Sequence, residues 1–261
     1  MLTIATLLAF SAVARAQSLP PSAGIFIAGD STVATPSNGW TQSADLIFAE
    51  PYLSFARAGR SMRMAFAEGM FTNITTAAAK STLDTKYAII EMGHNEGNSG
   101  NLNDGREPCP DDADKQTQAA CDAAGVKTFA EYLTDAVTLL QQAGLTVVLA
   151  SPTVDMPYGD DGFCYVQSRF SKQAQAVAAA TGAQFIDIEA ASAAMWQHAE
   201  YSGTIRNFKP DHTHTTSTGS ARIAFAVAKA ITCSDSTLKT VLKAGLSHIM
   251  PPNCAPVAPL C

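Results

Sequence analysis

Short apolar runs alternate along this chain with stretches whose apolar residues recur every three or four positions. The runs lie at 24–28 (GIFIA), 53–56, 87–92 (YAIIEM), 146–150 (TVVLA) and 184–188 (QFIDI), the last with Asp187 and Glu189 at its end. Each is too short for a helix and nearly continuous, the pattern of strands buried on both faces. Val126, Phe129, Leu133, Val137 and Leu140 form a helical stripe closed by Gly144. Val166, Phe170, Ala174 and Val177 form a second, closed by Gly182, and Ile223, Val227 and Ile231 mark a third, with Thr and Ser at 215–218 as cap candidates. Alternation of strand and helix predicts an α/β fold, a single three-layer domain with a mostly parallel sheet and helices on both faces. No internal repeat or linker divides it. Two stretches lack either pattern. The polar, Gly/Asn/Asp-rich stretch 97–125 predicts a long loop, and 234–261, with Pro251, Pro252, Pro256 and Pro259, predicts a surface tail.

Composition sets the compartment. Residues 2–13 are apolar, and Ala14-Arg15-Ala16 follows with small residues where a signal peptidase reads. Such a run is far shorter than the roughly 20 residues that span a bilayer. Residues 1–16 therefore read as a secretory signal, and 17–261 as the exported domain. No later run is long enough to cross a membrane, and no membrane partner is expected. The net charge of −6 with no basic run argues against nucleic acid. The domain is expected to act as a monomer.

All six cysteines follow the signal, an even number suited to an oxidising compartment. Pairing of sequence neighbours gives Cys109–Cys121 and Cys233–Cys254, the latter tethering the 234–261 tail. Cys164 and Cys261 remain, either paired with each other or free, and other connectivities stay open. Export and an even count both disfavour a catalytic cysteine. Asn73-Ile74-Thr75 is a glycosylation sequon and predicts an exposed Asn73.

Ligands of open α/β sheets bind beyond the carboxyl ends of the strands, so the segments after each strand carry the candidate chemistry. Gly29-Asp30-Ser31-Thr32 follows the first run, where a Ser is exposed beside free N–H groups. Alone, the tripeptide is an ordinary turn. Ala58-Gly59-Arg60-Ser61 follows the second, and Gly59 can offer its N–H without an intervening side chain. Gly93-His94-Asn95-Glu96 follows the third, and the Asn95 carboxamide is a donor suited to a developing oxyanion. Asp211-His212-Thr213-His214 precedes the last helix. An Asp three residues before a His can fix its tautomer and leave Nε2 to deprotonate Ser31. The rival reading is a metal site from His212 and His214, with Asp211, His94 and Glu96 as further ligands. It leaves Ser31, Gly59 and Asn95 unused, so no metal and no cofactor is expected. His198 has no such company and reads as structural.

These segments resemble the SGNH, or GDSL, hydrolase superfamily, named for Ser, Gly, Asn and His in four separated blocks. Ser31 in FIAGDSTVA, Gly59 in ARAGRS, Asn95 in MGHNEG and His214 in DHTH match them, with Asp211 completing the triad. Within the superfamily the likeness is greatest to the fungal rhamnogalacturonan acetylesterases, through GDST, AGRS, GHN and PDHTHT. It runs from about residue 24 to 233, and the placing of Cys109, Cys121, Cys233 and Cys254 fits it.

The resemblance implies a flavodoxin-like sheet of five parallel strands in the order 2-1-3-4-5. It implies Ser31, Asp211 and His214 as catalytic residues, with Ser31, Gly59 and Asn95 as the oxyanion hole. It also implies removal of acetyl groups from the rhamnogalacturonan backbone of pectin, an acetylated plant cell-wall polysaccharide. Other esterases of the superfamily act on xylan acetates or lipids, and a non-catalytic wall-binding protein is a further alternative. The sequence departs from the acetylesterases at Glu96, where an Asp is usual, in a lengthened 109–121 loop, in Cys164 and Cys261, and in lacking a Trp within 155–163. Arg57, Arg60, Arg63 and Lys209 can make the rim locally basic towards a polyanion, which gives Arg60, His94 and Lys209 as candidate substrate-binding residues.

Overall fold

The computed structural model describes residues 24–97, 102–246 and 254. In chain order the strands are β1 (Ile25–Gly29), β2 (Tyr52–Ser54), β3 (Tyr87–Glu91), β4 (Thr146–Ala150), β5 (Tyr158–Gly159), β6 (Gly162–Phe163) and β7 (Gln184–Ile186). Five of them form one parallel sheet in the order β2-β1-β3-β4-β7. That is the expected 2-1-3-4-5 order, with an unforeseen antiparallel hairpin, β5–β6, between the fourth and fifth sheet strands. The helices are α1 (Met62–Ala67), α2 (Met70–Ala78), α3 (Lys115–Ala124), α4 (Phe129–Gln142), α5 (Arg169–Thr181), α6 (Ile188–Ile205) and α7 (Ser217–Cys233).

Successive strand residues point to opposite faces, and two cores follow from this. Phe26, Ala28, Ala88, Ile90 and Leu149 pack under α1, α2, α4 and α5. Ile25, Ile27, Ile89, Val148 and Ile186 pack against the 3-10 segment Trp40–Leu46, α6 and α7. The predicted stripe forms α4, where Phe129, Leu133, Val137 and Leu140 are buried and Thr128 and Glu131 make a capping box. Thr216 caps α7 through Gly219 N–H.

Several expectations are corrected. Val166 is 60% exposed and lies before α5, which starts only after the Ser168 cap. Val126 packs on the Cys109–Cys121 bridge rather than within α4. The fifth run is shorter than expected, because the Asp187 side chain accepts from Ala190 N–H and starts α6. The 97–125 stretch is not all loop, since it contains α3. The start of the 234–261 tail is not surface structure either. Leu238 is fully buried, and Phe48 and Leu242 form an antiparallel bridge.

Cys109–Cys121 and Cys233–Cys254 are bonded as expected. Cys164 is disulfide-bonded rather than free, while Cys261 and the 1–16 signal lie outside the described residues. Asn73 is exposed on α2.

Candidate active site

The chain leaves β1 through Gly29, where an added Cβ would lie 2.3 Å from Val33 Cγ2, so the turn back is close enough to require glycine. Asp30 follows, fully buried, and its Oδ1 accepts from both Thr32 N–H and Thr32 Oγ1 at 2.9 Å. This side-chain turn presents Ser31 above the sheet with 6% of its surface exposed.

The segment before α7 meets it from the other side. Asp211 Oδ1 accepts from Thr213 N–H at 3.0 Å and His214 N–H at 2.8 Å, and His212 takes a left-handed φ of 65°. The bend is pinned by His214 C=O accepting from Lys209 N–H and by His212 C=O accepting from Met156 N–H, each at 2.7 Å. The His214 ring then lies with Nδ1 3.0 Å from Asp211 Oδ2 and Nε2 2.8 Å from Ser31 Oγ. An ionised carboxylate only accepts, so Nδ1 carries the proton and Nε2 accepts from the serine hydroxyl. Partial burial pushes the Asp211 carboxyl up, but the His214 and Thr213 hydrogen bonds outweigh it and hold the group below its ordinary value. The chain Ser31–His214–Asp211 is thus arranged to draw the serine proton away from Oγ.

The three expected oxyanion donors have no acceptor among the described residues. Among the described residues, neither Ser31 N–H nor Gly59 N–H has an acceptor. Gly59 has a φ of 78°, which other residues adopt at a cost. Asn95 is 8% exposed, and its buried Nδ2 has no partner among the described residues. Its other polar groups are occupied: N–H donates to Glu96 Oε2 at 2.9 Å, C=O accepts from Arg106 Nε at 3.1 Å, and Oδ1 accepts from Arg106 Nη2 at 2.6 Å.

Beneath these groups lies an acidic cluster that sequence reasoning missed. Glu91, at the end of β3, is fully buried and accepts from Trp40 Nε1 at 2.5 Å, Thr32 Oγ1 at 3.1 Å and Thr153 N–H at 3.2 Å. Burial, then the nearby Asp30, raise its pKa to about 7. Glu96 Oε1 accepts from Met62 N–H at 2.8 Å, which ties the Asn95 loop to the start of α1. Burial and Asp30 raise Glu96 to about 8. The signal available for Glu91 was a carboxylate closing an otherwise apolar strand. Arg106 lies outside all four blocks and offered none.

His94 N–H donates to Asp30 Oδ2 at 3.3 Å, and its ring lies between Thr153 Oγ1 at 3.3 Å and Asp155 Oδ1 at 3.6 Å. Burial lowers its pKa, but Asp30, Asp155, Glu91 and Glu96 more than compensate, and the net shift is upward. The basic groups at the second block are largely engaged within the protein. Arg57 and Arg60 both pair with Glu68, and Arg63 donates to the carbonyls of Leu102 and Glu107. Lys209 Nζ donates to Ser37 C=O at 3.1 Å. Their charge is thus less available to a polyanion than the sequence suggests. Among the described residues, no group of three His, Cys, Asp or Glu is placed to hold a metal ion.

No protein-family model matches the chain. A curated rhamnogalacturonan acetylesterase from Emericella nidulans is 35% identical over 232 residues, which is 86% of this chain and 92% of the relative. The chain belongs to the rhamnogalacturonan acetylesterase family. It is accordingly an acetylesterase, a carboxylic ester hydrolase. Solved structures share its fold at lower identity. Protein YxiM of Bacillus subtilis matches at TM-score 0.62 and 18% identity over 81% of this chain, but over only 56% of its own length. LAE5, an α/β hydrolase from the metagenome of Lake Arreo, matches at 0.55 and 18%, covering 82% of this chain and 98% of its own. Axe2, an acetylxylan esterase of Geobacillus stearothermophilus, matches at 0.51 and 13%, covering 80% and 95%.

Proposed function

We propose that this acetylesterase is exported and removes acetyl groups from pectic rhamnogalacturonan through a Ser31 acyl-enzyme. The observation that carries the mechanism is the hydrogen-bonded series Ser31 Oγ–His214 Nε2, 2.8 Å, and His214 Nδ1–Asp211 Oδ2, 3.0 Å. Ser31 Oγ attacks the acetyl carbonyl carbon as its proton passes to His214 Nε2. Asp211 steadies the imidazolium. The tetrahedral oxyanion is held by Ser31 N–H, Gly59 N–H and Asn95 Nδ2. The bond to the sugar oxygen then breaks, and His214 protonates the leaving alkoxide. Water attacks the acetyl-serine, gives a proton to His214, and acetate leaves as Ser31 recovers its hydrogen.

The polymer follows the family relative, whose name states rhamnogalacturonan. The apolar run and small residues of 1–16, with the two disulfides, support export. The exposed Asn73 sequon is then a glycan acceptor.

The test is acetate release from acetylated rhamnogalacturonan and acetylated xylan. Wild-type enzyme should favour the pectic polymer, and Ser31→Ala should lose on the order of 10⁴-fold or more on either. It should also fail to take up a fluorophosphonate label. Full activity of Ser31→Ala would remove the mechanism, whereas preference for xylan would remove only the substrate.

A further inference from the structure

We infer that Arg106 is a positioning residue that locks the Asn95 carboxamide with its NH₂ group open to the reacting carbonyl oxygen. The inference rests on the proposed role of Asn95 in the oxyanion hole and goes beyond it to the residue that keeps Asn95 in place. The torsion that aims an Asn amide is soft and roughly two-fold, so nothing in Asn95 itself decides which end of the amide faces the ester. Arg106 decides it. A guanidinium carries only donors. Its Nη2 lies 2.6 Å from Oδ1 and its Nε 3.1 Å from the Asn95 carbonyl oxygen, a two-armed grip on two oxygens of one residue. A flipped amide would set NH₂ against N–H and lose the first arm. Glu96 occupies the Asn95 backbone N–H. Among the described residues, Nδ2 is then the one polar group of Asn95 with no protein partner.

Arg106 is itself fixed at its backbone. Its carbonyl accepts from Ser61 Oγ at 2.5 Å, and its N–H donates to Asp104 Oδ1 at 2.8 Å. Ser61 is the N-cap of α1, two residues after Gly59. One residue thus joins the segment of the second oxyanion donor to the side chain of the third. Among the described residues the Arg106 guanidinium meets no carboxylate within ion-pair distance, so its charge stays directed at the Asn95 amide. A cation bonded to the carbonyl end of an amide polarises its N–H bonds, which strengthens Nδ2 as a donor to an oxyanion.

The experiment uses the full-length protein with 4-nitrophenyl acetate as substrate, and compares Arg106→Met, Arg106→Lys, Asn95→Ala and the double variant Asn95→Ala/Arg106→Met. Arg106→Met should lower kcat by about 10–100-fold, with KM changed less than about 2-fold, because the contact it supports forms in the transition state. Arg106→Lys, which keeps the charge and one arm, should recover part of kcat. In the Asn95→Ala background, Arg106→Met should have no further effect beyond about 2-fold. A merely structural arginine would lower kcat by the same factor in both backgrounds, and that result overturns the proposal. Wild-type kcat in Arg106→Met beside a crippled Asn95→Ala overturns it too, and leaves the oxyanion reading standing. Full activity of Asn95→Ala overturns both. If Arg106→Met does not fold, Arg106→Lys alone and with Asn95→Ala gives the same comparison.

Discussion

Nδ2 of Asn95 is a buried donor without an acceptor among the described residues, and such a group costs a fold about 1–3 kcal/mol. Asn95→Ala removes that cost together with one oxyanion donor. The two effects have opposite signs. Activity on a simple acetyl ester should fall by about 10²–10³, while the thermal midpoint should hold or rise slightly. Paired kinetic and calorimetric measurements check this, and a large loss of stability would mean that Asn95 serves the fold. Ser31, Gly59, Asn95, Asp211 and His214 stand out as candidates because each sits in a local pattern, a strand end or a helix entry, that needs no knowledge of distant contacts. The structure brings Ser31, His214 and Asp211 into one hydrogen-bonded series. Arg106 and the partners of Glu91 were not legible. Their roles depend on contacts such as Glu91 to Trp40 and Thr153, and a charged residue in a polar stretch reads the same whether it faces solvent or an active site.

The same distinction separates the elements. The strands β1, β3 and β4 are buried along nearly all their length, so their sequences carry the signal directly. β2 is the edge strand, short and part exposed, and its signal is weak. α3 reads as loop because it has almost no apolar face, with Cys121 its sole buried residue. Asp114 caps it through Thr117 N–H at 2.7 Å and Gly125 ends it in a left-handed turn, but ten residues of helix are marginal in water on their own. The Cys109–Cys121 bridge and its small cluster with Val126 fasten it to the domain. Replacing both cysteines by serine should therefore cost about 3 kcal/mol and release α3 first. Hydrogen exchange should speed up over 115–124 while the amides of β1 and β3 stay protected. Arg106 lies three residues before Cys109, so kcat should fall in the same variant. Wild-type protection of α3 would show that the helix stands without the bridge.

At the scale of the molecule, the parallel sheet gathers its strand ends at one edge, and the acidic groups that follow them gather there too. Asp30, Glu91 and Glu96 share that interior with His94, and the titration of Glu91, Glu96 and His94 ties global stability to pH. Glu91 and Glu96, raised to about 7 and about 8 by burial and then by Asp30, keep protons in the folded state that the unfolded chain releases near 4.5. His94, held above 6.5 because its carboxylate neighbours outweigh its burial, likewise keeps a proton that the unfolded chain loses earlier. For all three the folded state binds more protons across the window, so stability falls as pH rises. It is fullest below about 4.5 for the carboxylates and below 6.5 for His94, and declines through about pH 8. Asp211 acts oppositely but below its ordinary 3.8, outside this window. The thermal midpoint should drop by about 5 °C or more between pH 5 and pH 8, since each kcal/mol is worth roughly 2–4 °C in a domain of this size. Glu96→Gln keeps the side-chain length and an acceptor for Met62 N–H but cannot ionise, so its slope against pH should be shallower than that of the wild type. A midpoint that rises over the same range would mean that the unfolded chain binds more protons than the fold does, and that Glu91, Glu96 and His94 do not retain theirs on folding.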